Sequence, residues 1–125
     1  MSGFVIDSSG WLEYFVAGQK TKAYLKYIQS GKPLWTPSLV IYEVYKKIAK
    51  VKSETEALLA ITQIDGQSEA VISLDEKLAL FAADTSLRFS LAMADAIIYA
   101  TALSQEATLV TRDHHFKGLE QVVLI

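Results

Sequence analysis

Four acidic residues spread along the chain, Asp7, Glu43, Asp95 and Asp113, are the side chains best suited to carry out chemistry. Asp7 and Asp113 each lie at the end of a short apolar run of the kind that forms a buried strand. Carboxylates about 5 Å apart repel each other by roughly 3 kcal/mol per pair at an effective dielectric constant of 20. If a fold gathers these four groups, a cation is needed to offset that repulsion, so the sequence indicates a metal site.

The chemistry of such a site follows from its ligands. An oxygen-only set selects hard cations, here Mg²⁺ or Mn²⁺, which keep several waters and bind phosphate oxygens. One or two of these ions can activate water as a nucleophile and offset the charge on the leaving oxygen during phosphodiester hydrolysis. The 125 residues contain no cysteine, which excludes disulfides, thiolate metal sites and thiol nucleophiles. Metal-dependent phosphodiester hydrolysis is therefore the predicted reaction.

Three of the four acids also have an ordinary structural interpretation when each is taken alone. Asp7 is at a position where an aspartate can cap a helix. Glu43 can pair with Lys47 one helical turn later, a contact that contributes about 0.2–0.5 kcal/mol. Asp113 can form an Asx turn or a helix cap. Only their combination favours a functional role.

Asp95 is harder to explain structurally. It is the only charged residue between Leu91 and Leu103, a segment whose apolar character on all sides predicts a buried helix. A buried carboxylate without a partner costs several kcal/mol. Its position near the start of a helix contributes only about 0.3–1 kcal/mol through the helix dipole, so the segment favours a functional role for Asp95.

Two adjacent histidines, His114 and His115, follow Asp113 directly. They suggest a transition-metal site as an alternative. Consecutive residues rarely present both rings to one ion, however, and zinc sites usually space their ligands further apart. We therefore predict the metal site without a histidine ligand.

Short apolar segments separated by longer amphipathic ones predict an α/β fold with a parallel sheet covered on both faces. In such sheets, ligands bind beyond the carboxyl ends of the strands, where Asp7 and Asp113 would meet. Strands are predicted at residues 4–6, 34–35, 70–72, 108–110 and 121–125, and helices at 11–15, 20–30, 36–51, 53–66, 75–88 and 91–103. Thr36 is the predicted N-cap of the third helix and Ser53 that of the fourth.

The net charge of −2 conceals an uneven distribution. Residues 1–52 contain eight lysines and three acids, a net charge of +5, whereas residues 53–125 carry four basic and eleven acidic side chains, a net charge of −7. A lysine-rich half is a candidate phosphate-binding surface, although solvated helix faces have the same composition. No signal peptide or membrane span is evident. We expect one domain over residues 1–125, located in the cytoplasm.

Several segments resemble the PIN-domain nucleases, and more narrowly the VapC-type toxins of prokaryotic toxin–antitoxin pairs. The resemblance extends over essentially the whole chain. The segments that carry it are Val5–Ser9 with Trp11 and Leu12, the helix around Glu43, Met93–Ala102, and Leu109–Asp113. The Asp95 segment and the Thr111/Asp113 segment are the most specific.

The resemblance implies a parallel sheet with the first strand central. It also implies an endoribonuclease that cleaves single-stranded RNA by metal-activated water, with a homodimeric assembly and a cognate antitoxin as partner. The residues implied are Asp7, Glu43, Asp95 and Asp113 around Mg²⁺ or Mn²⁺, with Ser8, Ser9 and Thr111 in support. The charge pattern separately offers two sets of lysines for RNA contact: Lys20, Lys22 and Lys26, or Lys46, Lys47 and Lys50. Relatives often carry another acid where this chain has His115.

Two other classes of function remain as alternatives. The first is a non-catalytic module that keeps the fold as an RNA- or protein-binding surface. The second is another small Mg²⁺-dependent α/β protein, a phosphohydrolase or a phosphoacceptor signalling domain. Such proteins usually have a second acid near the first-strand aspartate, whereas Asp7 is followed by Ser8, Ser9 and Gly10.

Overall fold

The computed structural model describes residues 2–125. Its secondary structure alternates between strands and helices. The strands are β1 (Phe4–Ile6), β2 (Trp35–Pro37), β3 (Ala70–Ile72), β4 (Thr108–Thr111) and β5 (Val122–Leu124). The helices are α1 (Ser8–Val16), α2 (Thr21–Ile28), α3 (Ser38–Val51), α4 (Glu54–Gln67), α5 (Glu76–Phe89) and α6 (Met93–Ser104), followed by a 3₁₀ turn at His114–Phe116.

All the strand pairs are parallel, and β1 is central. Strand β4 lies between β1 and β5, while β2 pairs with β3. A parallel bridge between Phe4 and Leu34 joins β1 to the segment that leads into β2. The spatial order is therefore β3-β2-β1-β4-β5, which confirms the predicted central position of the first strand.

The order of the strands reverses at β1, because the chain first proceeds outward to β2 and β3 and then returns to β4. With right-handed crossovers, this reversal places α1–α4 on one face of the sheet and α5–α6 on the other. Val5 and Ile6, which point to opposite faces of β1, are 0% and 1% exposed, as a strand covered on both sides requires. The crevice at such a reversal is where ligands bind in open α/β sheets.

Two helix starts test the predicted caps. Ser53 caps α4 as predicted, since its hydroxyl accepts a hydrogen bond from the Glu56 backbone N–H. The prediction that Thr36 caps α3 is wrong. Thr36 lies within β2, where its hydroxyl is 2.7 Å from that of Ser68, and α3 begins at Ser38 after Pro37. Pairing with β3 draws Thr36 into the sheet, so the N-cap moves by one residue, from Thr36 to Pro37.

Helices α5 and α6 form a second, smaller core. Their buried side chains Leu78, Ala82, Ile97 and Ala100 pack together, apart from the main core around β1 and β4. Within residues 2–125, no single helix is long and apolar enough to cross a membrane. Helices α5 and α6 reach the length and apolar composition of a membrane span only when they are counted together, and the pair is bent by 112°.

Candidate active site

Asp7 is the most buried of the four acids, with 8% of its surface exposed. It follows β1 and caps α1, where Oδ1 accepts a hydrogen bond of 2.8 Å from the Gly10 backbone N–H. The Tyr24 hydroxyl donates to the same oxygen at 3.2 Å, and the Thr111 hydroxyl donates to Oδ2 at 2.6 Å. Asp7 is therefore both a helix cap and a carboxylate held by donors from three elements of the fold.

A glycine allows Tyr24 to reach Asp7. A Cβ built on Gly10 would lie 2.5 Å from the Tyr24 ring and 2.6 Å from Cγ2 of Ile6, and real Cβ atoms do not approach other atoms so closely. Helix α2 can therefore pack its tyrosine against the first turn of α1 only because residue 10 has no side chain.

Thr111 connects Asp7 to the loop that carries Asp113. Its side chain, at the carboxyl end of β4, is fully buried. The same hydroxyl that donates to Asp7 accepts a hydrogen bond of 3.0 Å from the Asp113 backbone N–H. Since β1 and β4 are paired neighbours, this one side chain links their two aspartates, as the positions at the strand ends predict.

Asp95 and Asp113 meet around His115. His115 Nδ1 lies 3.3 Å from Oδ2 of Asp95 and 3.2 Å from Oδ1 of Asp113. One ligand atom from each of the three side chains lies within 4.8 Å of the others, a grouping able to hold a metal ion. Asp95 is in the first turn of α6, which is open to solvent whereas the middle of the helix is buried, and its side chain is 21% exposed.

Glu43 comes from α3 and has a buried oxygen without a partner. Its Oε1 is shielded from solvent and accepts no hydrogen bond from any residue in the range 2–125. The predicted alternative, an ion pair with Lys47, does not form among the described residues. A buried carboxylate oxygen that lacks a donor costs free energy, and a cation would remove that cost.

The electrostatics link three acids that lie far apart in the sequence. Burial raises the pKa of Glu43, the Ser8 hydroxyl opposes that shift, and the negative charges of Asp95 and Asp7 add to it. Burial likewise raises the pKa of Asp95. The hydrogen bond from His115 opposes this shift, and the negative charge of Asp113 adds to it. Glu43 therefore lies within electrostatic range of both Asp7 and Asp95. Among the described residues, the group close enough to share one ion is Asp95, Asp113 and His115. Asp7 and Glu43 adjoin this group through the Thr111 hydrogen bonds and through electrostatic coupling, and the region around the four acids is called the acidic cleft.

The pKa of Asp7 is also raised, because burial outweighs the hydrogen bonds and the positive charge of Arg112 that favour its charged form. Like-charge repulsion and desolvation both disfavour a cluster of ionised carboxylates, and a bound cation reverses that balance. The set therefore fits a divalent metal ion, with carboxylate oxygens as its main ligands.

The supporting residues differ in how closely they approach the acids. Thr111 contacts Asp7, and Ser8 lies beside Glu43. Ser9 is next in α1, and within residues 2–125 its hydroxyl forms no hydrogen bond with any of the four acids. Lys46, Lys47 and Lys50 are exposed on α3, three, four and seven residues after Glu43 and thus on the same side of the helix.

Three residues near the site were not predicted from the sequence. Tyr24 falls on the apolar side of its helix, and only the packing of α2 on α1 shows that its hydroxyl reaches Asp7. Arg112 forms an ion pair of 2.8 Å with Glu13, beside Asp7. His115 lies between two acids. The signal available in the sequence was its position two residues after Asp113, because a 3₁₀ turn at that point brings the two side chains together.

Comparison with known proteins places the chain in a family. The PIN domain family model matches residues 4–121. Among curated protein sequences there is no significant match.

Solved structures with the same fold include complexes of toxins and antitoxins. A toxin–antitoxin complex from Klebsiella pneumoniae has a TM-score of 0.78 at 21% identity, with 97% of this chain and 96% of that chain covered. VapBC2 from Rickettsia felis, bound to a DNA fragment from their promoter, has a TM-score of 0.75 at 16% identity, with 98% and 96% covered. DNA-bound VapBC from Salmonella typhimurium has a TM-score of 0.76 at 14% identity, with 100% and 98% covered. Identities this low show a shared fold alone.

Proposed function

This chain belongs to the PIN-domain family, and from that membership and its four gathered carboxylates we propose that it is a metal-dependent endoribonuclease. Its substrate in this proposal is single-stranded RNA. The observation that carries the proposal is the cleft of Asp7, Glu43, Asp95 and Asp113, in which a buried oxygen of Glu43 has no partner among the described residues. A fold gains nothing from such a cluster unless a cation binds there.

Asp7, Glu43, Asp95 and Asp113 would hold Mg²⁺ or Mn²⁺. When bound, the ion supplies an activated water and offsets the negative charge that develops on the phosphate. The protein contributes the positions of its carboxylates. Thr111 and Tyr24 fix the two oxygens of Asp7 by hydrogen bonds, so that this carboxylate does not reorganise when substrate binds.

The lysines of α3 support RNA as the substrate. Lys46, Lys47 and Lys50 are exposed on the helix that supplies Glu43, so positive charge flanks the acidic cleft. They would bind phosphates on either side of the cleavage point without reading base sequence. Replacing all three with glutamine should weaken RNA binding at every sequence and reduce the salt dependence by about one unit of slope per lost phosphate contact. An unchanged slope would assign them to an ordinary solvated helix face.

The biological role that we propose is the toxin of a toxin–antitoxin pair, acting on RNA in the cytoplasm. The structures with the same fold support this role, since they include toxin–antitoxin complexes. An antitoxin protein is then the expected partner. Co-expression with the product of an adjacent short reading frame should yield a stable complex that no longer cleaves RNA.

We also propose a homodimer. Leu87 and Met93, at the adjoining ends of α5 and α6, are 83% and 75% exposed, and together with Leu74 they line one apolar hollow. Apolar surface concentrated in this way is typical of an interface. Light scattering should give the mass of a dimer, and Leu87→Glu with Met93→Glu should give that of a monomer.

The cleavage assay tests the proposal directly. Purified protein should cut single-stranded RNA with Mg²⁺ or Mn²⁺ and stop in EDTA. Glu43→Gln, which keeps the shape but removes the charge, should lower cleavage at least about a hundredfold, as expected for loss of a group that stabilises the transition state. Glu54→Gln, exposed at the start of α4, is the matched control and should stay fully active. Persistent cleavage in EDTA would refute the mechanism, and RNA binding without cleavage would favour a non-catalytic module.

A further inference from the structure

The ligands available in this cleft are not all oxygens. His115 Nδ1 lies about equally far from a carboxylate oxygen of Asp95 and one of Asp113, at 3.3 and 3.2 Å. The imidazole is 74% exposed, so burial does not force it into this position. Two acids from different elements converge on one ring nitrogen.

The backbone of the 3₁₀ turn holds the ring there. Asp113 caps the turn by accepting a hydrogen bond of 2.9 Å from the His115 backbone N–H. The next residue, Phe116, is 2% exposed, and its ring centroid lies 6.0 Å from that of Tyr99 in α6. The buried Phe116 thus anchors the turn to the helix that carries Asp95, and His115 is fixed on the side of the acids.

His114 provides an internal contrast. It belongs to the same turn and is exposed, yet its side chain forms no hydrogen bond or ion pair with any other side chain in the described part of the chain. Two identical side chains therefore stand next to each other, one within the acidic cleft and one outside it.

The two distances from the His115 nitrogen to the carboxylate oxygens are compatible with a shared ion. Two ligands in adjacent octahedral positions, each about 2.1 Å from the same ion, lie about 3.0 Å apart. The nitrogen-to-oxygen distances of 3.3 and 3.2 Å are close to that value. Glu43 adds an independent sign of a cation, because its buried unpartnered oxygen belongs to a carboxylate that Asp95 influences electrostatically.

We propose that His115 is a metal ligand together with Asp95 and Asp113, and that its nitrogen makes the site favour a first-row transition-metal ion over Mg²⁺. This inference rests on the proposed nuclease function, whose carboxylates it shares, and it revises the prediction of a site without a histidine. Imidazole nitrogen is a common ligand of transition metals, whereas Mg²⁺ strongly prefers oxygen. A histidine nitrogen at this position thus changes which ion the cleft selects.

Calorimetric titration of tag-free protein with Co²⁺, Mn²⁺ and Mg²⁺ tests the selection. All-carboxylate sites also bind Co²⁺ more tightly than Mg²⁺, so the decisive quantity is how variants change the ratio of the two affinities. We expect His115→Asp, which supplies an oxygen ligand in place of the nitrogen, to lower the Co²⁺-to-Mg²⁺ ratio at least about tenfold. His115→Gln should weaken Co²⁺ binding by about 10–100-fold and change Mg²⁺ binding much less. The matched control, His114→Gln, should leave both affinities as in the wild type.

Pulsed electron paramagnetic resonance gives a second readout that does not depend on affinity. Mn²⁺ bound to wild-type protein or to His114→Gln should show coupling to an imidazole ¹⁴N, and His115→Gln should abolish it. Absence of nitrogen coupling in the wild type, or equal affinity ratios in wild type and His115→Asp, would overturn the proposal. Retained melting temperatures would show that the variants are folded.

The same samples separate this inference from the nuclease proposal. If the wild type cleaves RNA with metal but His115→Asp selects ions as the wild type does, the histidine ligand is refuted and the nuclease stands. If nitrogen coupling is present but no RNA is cleaved, the ligand stands and the nuclease proposal fails.

Discussion

The two sides of the acidic cleft are built differently. On one side, Asp7 is buried and accepts hydrogen bonds from a backbone amide, from Tyr24 and from Thr111. On the other side, Asp95 and Asp113 are partly exposed, with side chains 21% and 36% accessible, and the side chain that they share is His115. Donors within the fold satisfy the carboxylate on the first side, whereas the carboxylates on the second side are accessible to solvent and to an ion.

This difference indicates how a protein can assemble like charges in the absence of a cation. Donors supplied by three elements hold Asp7 in place without help from a metal, and they partly offset the cost of its burial. Asp95 and Asp113 lack that support and keep their solvent access instead. We infer that the Asp7 side provides rigidity and that the Asp95–Asp113 side adjusts to the bound ion.

The largest expected effect on stability is that of Asp7→Ala. It removes a helix cap, worth about 1 kcal/mol, and leaves the buried hydroxyls of Tyr24 and Thr111 without their acceptor, at about 1–3 kcal/mol each. These terms add to roughly 3–7 kcal/mol, and relief of the desolvation of the Asp7 carboxylate offsets part of that sum. We therefore expect a net loss of roughly 2–5 kcal/mol in the free energy of unfolding, measured with urea in EDTA. Asp113→Ala, on the open side, should lose no more than about 1–2 kcal/mol. Equal losses would remove the distinction between the two sides.

A smaller effect is expected for Tyr24→Phe. The change removes one hydroxyl that donates to Asp7 and keeps the buried ring, so we expect a loss of about 1–2 kcal/mol. Because that hydrogen bond favours the charged carboxylate, its loss should also raise the pKa of Asp7 further. NMR titration of the Asp7 carboxyl carbon would measure the shift.

Tyr27→Phe is the matched control for this change. Tyr27 is on the same helix and packs edge-on against Phe4, and its hydroxyl forms no hydrogen bond with any described residue. It should be neutral within about 0.5 kcal/mol. If both tyrosine variants lose the same stability, the contact with Asp7 contributes nothing specific.

Local sequence patterns predict the closed side of the cleft only in part. Short apolar runs indicate β1 and β4, and the rule that ligands bind beyond strand ends brings Asp7 and Asp113 together. The donors to Asp7 depend on how helices pack. Tyr24 shares the apolar side of its helix with Ile28, and periodicity does not distinguish a tyrosine in the core from one whose hydroxyl reaches an acid 17 positions away.

The open side of the cleft shows a different limit of prediction from sequence. The apolar context of Asp95 singles it out in the sequence, and in the structure burial and a neighbouring acid raise its pKa although its side chain is 21% exposed. The general rule that adjacent histidines do not share an ion led to a prediction without His115. That rule concerns the pair, whereas the 3₁₀ turn directs only one of the two rings towards the acids. The geometry of a three-residue turn, which sequence spacing alone does not specify, decides which of the two rings lies beside Asp95 and Asp113.

Asp95→Asn tests whether the open side of the cleft is a cluster of like charges. If Asp95 belongs to a cluster of like charges, removing its charge should leave the stability of metal-free protein unchanged or raise it by about 1 kcal/mol. The same change should abolish RNA cleavage and reduce the stabilisation conferred by Mn²⁺, because a ligand stabilises only the state that binds it. Asp84→Asn, exposed on α5, is the control. A destabilised but fully active Asp95→Asn protein would remove Asp95 from the active site.

The smallest expected effect is on the pH dependence of stability. Burial is the largest cause of the raised pKa values of Asp7, Glu43 and Asp95. An acid whose pKa is higher in the folded than in the unfolded state binds its proton more tightly when folded, so its contribution to stability is present at low pH. That contribution is lost as the pH rises from the ordinary values of 3.8 and 4.5 through the folded pKa values.

In EDTA, the melting temperature of the wild type relative to Glu43→Gln should therefore fall as the pH rises above the ordinary glutamate value of 4.5. Mn²⁺ should remove or reverse this difference, because the ion binds the deprotonated carboxylates. Comparison with the variant cancels the titration of groups outside the cleft. A difference that increases with pH in EDTA would mean that Glu43 is stabilised in its charged form by a partner within the protein, and its unpartnered oxygen would then no longer support a cation site.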